Sequence, residues 1–96
     1  MKIKDIAFSP QVWKDWEDVP DRIQKRFNQD VMNISLTNHL PNSIQAHKVH
    51  NHEEGWWIGY ISLGSAAWRF LFSISSSGTL MVERILSHSA MDKLLR

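Results

Sequence analysis

The chain has 96 residues, 43 % of them hydrophobic and 22 % charged, and its 11 Lys and Arg against 10 Asp and Glu leave a formal charge of +1. That length holds one thin core of two layers, so the expected organisation is a single domain over residues 1–96. Having no cysteine excludes a disulfide scaffold, a thiolate zinc site and a cysteine nucleophile, and the near-neutral charge argues against binding nucleic acid by bulk attraction. No apolar run approaches the ~18 residues of a membrane span. The opening stretch lacks a signal peptide's apolar segment, so the expected location is the cytoplasm, with no membrane partner.

Residues Lys2 to Phe8 read as a first strand that stops at Ser9-Pro10. Serine before proline is a helix start, because the hydroxyl can cap and proline at the first helical position loses no bond. A short helix follows, carrying Val12, Trp13 and Trp16. Asp18-Val19-Pro20 closes it and opens a longer one, on which Ile23, Phe27, Val31 and Ile34 recur at helical period. The pair should form a helical hairpin. Thr37 to Ser43 is a loop by composition.

Beyond it the pattern changes to period two. Ala46 to His50 is a short strand candidate, and Trp56 to Leu63 a second. Ala67 to Ile74 is the clearest, alternating Trp68, Phe70, Phe72 and Ile74 against Ala67, Arg69, Leu71 and Ser73. After a turn at Ser75 to Gly78, Leu80 to Leu86 is the last strand, and Ser89 to Leu95 a closing short helix. The predicted fold class is α+β: an N-terminal strand, a helical hairpin, then a mainly antiparallel sheet of three to four strands with a short C-terminal helix.

The aromatic row Trp68, Phe70, Phe72, Ile74 belongs under the helices, which turns Arg69 to the opposite, open face. Taking Val49 as the core-facing residue of its strand puts Lys48 beside Arg69 on that open face. On the last strand, Leu80 and Val82 argue for one face and Met81 and Ile85 for the other.

This order of elements resembles the RelE/ParE superfamily of bacterial toxins, over nearly the whole chain. The resemblance rests on the strand ending in Phe8, the hairpin from Pro10 to Leu36, the lysine-bearing strand Ala46 to Val49 and the aromatic strand Trp56 to Ile61. It rests further on the aromatic-Arg strand Trp68 to Ile74 and the terminal run Val82 to His88. It implies a cytoplasmic toxin of a type II toxin–antitoxin pair, neutralised by a cognate antitoxin, as a homodimer or a toxin–antitoxin hetero-oligomer. Members similar to RelE cut messenger RNA, usually on the ribosome; members similar to ParE block DNA gyrase and cut nothing; a diverged inactive member would only bind its antitoxin. Position by position, the resemblance carries Arg69, His88 and Lys48 over as the catalytic set, with Arg84 and one of Glu53 or Glu54 as looser matches. Ser89 stands after His88 where several relatives carry a tyrosine, and the only tyrosine here is Tyr60.

The chemistry fits those residue types. In RNA cleavage a ribose 2′-hydroxyl attacks the adjacent phosphorus, which needs a base, an acid and a cation for the developing charge, and no cofactor. Arginine suits the phosphate through its fork of donors, and histidine suits proton transfer with an unperturbed pKa of about 6.5. Arg84, His50 and Trp57 are the expected RNA contacts, the tryptophan by stacking on a base. His47, His50 and His52 invite a metal site, but no recognisable spacing supplies a full ligand set, so no metal is assigned. Residues 46–96 carry five basic and four acidic side chains and four of the five histidines, which leaves room for a local cationic site despite the overall balance.

Overall fold

The first strand of the chain finds its partner in the last. In the computed structural model, which describes residues 2–50, 52, 54–61 and 67–96, β1 (Asp5–Phe8) runs parallel to β5 (Thr79–Ser87), from Asp5 opposite Thr79 to Phe8 opposite Val82. Between them in sequence lie α1 (Pro10–Trp16), α2 (Asp21–Thr37), β2 (His47–Lys48), β3 (Trp57–Tyr60) and β4 (Trp68–Ile74). The chain ends in α3 (His88–Leu94). The five strands form one sheet in the order β1-β5-β4-β3-β2, antiparallel apart from the β1–β5 pair. This is the expected α+β fold. The observed β2 and β3 are shorter than the expected strands, and residues 62–66, which include the end of the expected strand Trp56 to Leu63, lie outside the described residues.

The apolar stripe of α2 lies on the aromatic row of β4. Ile23, Phe27 and Ile34 are buried with Phe70 and Phe72, and the Phe27 ring meets Phe70 edge-on at 5.2 Å between centroids. Gly59 on β3 permits this closeness. A Cβ there would stand 2.6 Å from both Ile44 and the Phe70 ring. α1 packs chiefly against β5. It meets α2 through Trp16, whose ring lies 6.0 Å from Phe27 and whose carbonyl accepts from Gln24 at 3.0 Å.

Neither α1 nor α2 carries a side-chain cap. The Ser9 hydroxyl, expected to cap α1, instead donates to the Glu83 carbonyl at 2.8 Å, while the Ser9 N–H donates to Val82 at 2.9 Å. The reason lies in β5. Its pairing with β4 slips at Leu71/Phe72, so that Leu71 faces Arg84 and Phe72 faces Val82. Glu83 is the extra residue of a bulge, and the side-chain phase inverts across it. Leu80 and Val82 before the bulge and Ile85 after it therefore all reach the helix-side core. That resolves the conflicting alternation of the last strand: each half is regular, in opposite phase.

α1 pins this bulge. Buried Asp15 accepts from Arg84 Nε at 2.8 Å, Arg84 Nη2 at 3.0 Å and the Ile85 N–H at 3.0 Å. The pairing of β1 with β5 ends at Phe8 opposite Val82, so the Ile85 N–H lies past the reach of β1 and the carboxylate serves as its acceptor.

The second face of the sheet is not open, as the alternation of β4 alone suggested. α3 lays Met91, fully buried, on Ile58 and Leu71, with Val49, Trp56, Leu86 and Leu95 around them. The Ser87 hydroxyl caps α3 by accepting from the Ala90 N–H at 3.3 Å, so β5 passes into the helix without a loop. No helix of the described residues is long and apolar enough to cross a membrane.

Candidate functional site

Strand register assembles a polar row beside the α3 cluster. Tyr60 of β3 pairs with Arg69 of β4, which pairs with Leu86 of β5. Residues directly opposite share a face, so this row lies on the side away from Phe70 and α2. The Arg69 guanidinium carbon sits 4.6 Å from the centroid of the Tyr60 ring, a cation–π contact. On the β2 side of Tyr60 in the sheet order, the His47 ring lies 5.6 Å from the Tyr60 ring. His47 pairs with Ile58, which places it on the Arg69 face.

His88 joins this end of the sheet through its backbone, its N–H donating to the Ala67 carbonyl at 2.9 Å just before β4. It is the first residue of α3, its side chain is half-exposed, and its Nε2 lies 3.5 Å from the Asp92 carboxylate one turn along the helix. Arg69, Tyr60 and His47 therefore share one face, bordered by the apolar cluster under α3, and the backbone of His88 adjoins β4 at Ala67, two residues before Arg69.

Lys48 does not join them. It pairs with Trp57, which pairs with Phe72, so Lys48 lies on the helix side of the sheet, opposite Arg69. The expectation of a shared face rested on Val49 being core-facing. Val49 does pack on a core, but on the α3 cluster, while Ala46 packs on the main one. With apolar clusters on both faces, one apolar residue could not tell them apart. Trp57 likewise stacks on Phe72, 6.5 Å between centroids at 20°, against the main core. Trp56 is the tryptophan on the α3 side, beside the His52 ring at 5.3 Å.

Arg84 has its fork on Asp15, and that hydrogen bond raises its pKa still further, so its charge serves the bulge. His50 is exposed in the turn after β2. Glu53 lies outside the described residues; Glu54 stands 3.7 Å from His52, whose Nε2 lies 3.2 Å from the Leu95 carbonyl. Among the described residues no three His, Asp or Glu gather where they could hold a metal ion.

Sequence reasoning missed Tyr60 as a neighbour of Arg69, and it singled out His47 only as one of three histidines that could bind a metal or contact RNA. The available signal was Gly59. A glycine opposite Phe70 marks the crowded helix side, which sends Tyr60 to the other face. Recognising this required the register between β3 and β4.

No protein-family model and no curated protein matches the sequence. Solved structures do resemble it. The chain aligns over 94 % of its length, at 18 % identity and a TM-score of 0.74, with 99 % of a chain in the RelB–RelE antitoxin–toxin complex of Methanococcus jannaschii. It aligns over 92 % of its length with 97 % of YafQ from E. coli, at 20 % identity and a TM-score of 0.69. A YoeB/ParE toxin from Agrobacterium tumefaciens gives 19 % identity and a TM-score of 0.65, over 88 % of this chain and 98 % of that one. The chain thus has the RelE-like toxin fold along almost its entire length.

Proposed function

We propose that this chain, a single domain over residues 1–96, is the cytoplasmic toxin of a toxin–antitoxin pair and an endoribonuclease that cleaves messenger RNA on the ribosome. The observation that carries the reading is Arg69 held on the Tyr60 ring on one sheet face, with the half-exposed His88 tied through its backbone to Ala67, two residues before Arg69. Arg69 is the phosphate ligand, its fork donating to the non-bridging oxygens as charge develops. The Tyr60 ring holds the guanidinium and offers a surface on which a base can stack. His88, beside Asp92, is the proton-transfer group, giving a proton to the leaving 5′-oxygen. His47, beside the Tyr60 ring, is placed to serve as the second proton carrier, in the position first assigned to Lys48.

An antitoxin partner is supported by the neighbours solved as antitoxin–toxin complexes, RelB–RelE and DinJ–YafQ. It is supported too by an apolar groove of about 320 Å³ between α1 and α2, where Trp13 is 66 % exposed beside Phe8 and Val31. Unpaired apolar surface of that kind fits a protein segment.

Brief expression in a bacterium with mapping of RNA 5′ ends tests the reading. New ends that vanish in Arg69→Ala and His88→Ala, with both variants folded by circular dichroism, support it. Growth arrest with intact transcripts and trapped gyrase sinks it in favour of gyrase inhibition. Absence of arrest with soluble folded protein sinks it in favour of an inactive antitoxin-binding chain.

A further inference from the structure

Tyr60 borders a second feature. A cleft of about 450 Å³ opens between the start of α2 and the edge of β3, lined by Arg22, Ile23, Arg26, Ser43, Gln45, Tyr60 and Ile61. Arg22 and Arg26 stand one helical turn apart, on the same side of α2. Arg22 makes no ion pair among the described residues, and the side chain of Arg26 is 53 % exposed although it lies 3.6 Å from the buried Asp30. Gln45 holds a left-handed backbone conformation, φ 50°, where the 3₁₀ turn Asn42–Ile44 gives way to β2. Its amide and the Ser43 hydroxyl add neutral hydrogen-bonding groups to the two guanidinium forks.

We infer that this cleft is a second phosphodiester-binding site, which holds the RNA strand at a nucleotide neighbouring the one at Arg69, with Tyr60 as the shared wall. The inference rests on the RNA-cleaving reading and extends it. Two arginines a turn apart suit successive phosphates of an extended strand, each fork taking one phosphate. Tyr60 carries Arg69 on its ring and also borders the cleft, so a strand running from one to the other passes an aromatic residue, the usual composition of a single-strand track. An acidic protein segment could use the same charges, but it has no need of the aromatic residue shared between the cleft and Arg69.

The test uses single-stranded RNA with every ribose 2′-O-methylated, so that it binds and cannot be cut, as a dodecamer and as a trinucleotide. Wild-type protein should bind the dodecamer more tightly, and in Arg22→Gln/Arg26→Gln that advantage should fall roughly tenfold, with the slope of log K against log salt shallower by about 1.4. Arg22→Gln alone, which leaves the Arg26–Asp30 pair in place, should show about half the change in slope. Equal affinity and slope in the double variant overturn the cleft, while loss of cleavage in Arg69→Ala still upholds the underlying reading. If the wild type binds neither probe, the inference falls, and 5′-end mapping decides the reading separately. A double variant that binds RNA as the wild type does but loses affinity for a polyglutamate peptide assigns the cleft to an acidic protein segment and overturns the inference.

Discussion

Arg69 rests on Tyr60, the only tyrosine in the chain, with the guanidinium carbon 4.6 Å from the ring centroid and the two residues directly paired across β3 and β4. The ring fixes the position of the charge, and the hydroxyl is dispensable for that. Tyr60→Phe should keep the stability of the parent, whereas Tyr60→Leu should lose about 0.5–1 kcal/mol in urea unfolding. RNA cleavage should follow the ring as well, falling about fivefold in the Leu variant through the same ~1 kcal/mol. Equal behaviour of the two variants in both assays would remove the ring from its supporting role.

Asp15 and Arg84 join α1 to the bulge of β5. Removing the carboxylate in Asp15→Ala strands the Arg84 guanidinium and leaves the Ile85 N–H without its acceptor. The loss should be about 3–5 kcal/mol in chemical denaturation. Arg84→Met should cost less, because the carboxylate still accepts from Ile85. A smaller effect for Asp15→Ala than for Arg84→Met would show that the backbone bond is unimportant.

Gly59 is required by space. A methyl group there meets Ile44 and Phe70 at 2.6 Å, in a part of the core with no slack. Gly59→Ala should destabilise the fold by about 1–3 kcal/mol, although alanine is ordinarily the better strand residue. A urea midpoint unchanged or raised would disprove the close approach.

Burial pushes the Asp30 carboxyl above its ordinary value of 3.8, and Arg26 pulls it partly back. The folded chain therefore keeps this proton at pH values where the unfolded chain has released it. The stabilisation from that difference is complete below 3.8 and is lost as pH rises through the folded value. Asp30→Asn should flatten the decline of stability with pH across that window, and Arg26→Gln should raise the Asp30 midpoint further. Carboxyl titration by NMR measures it, and a midpoint at or below the ordinary value would contradict the burial argument.

The α2 stripe and the alternation of Trp68 to Ile74 were legible in the sequence because each element faces one core with one period. The face of Lys48 was not, because the sheet is apolar on both sides and Val49 marks the lesser of them. The phase of β5 was hidden by a single extra residue, Glu83, whose bulge is fixed by contacts from Ser9 and Asp15 some seventy positions away. Arg69 and His88 were singled out through the family resemblance and the chemistry of their side chains. Tyr60 became part of the site only through pairing with another strand.

The parallel pairing of β1 with β5 also sets the order in which the molecule can be made. β5 is the strand between β1 and β4, and it supplies Leu86 to the Arg69 row and leads into His88. A chain growing from its N-terminus holds β1, α1, α2 and the aromatic strands without the piece that unites them. Its contacts are non-local, so little of the sheet is stable until residues 79–88 have left the exit tunnel. The face that carries Arg69 therefore waits for β5, whatever order the earlier elements take.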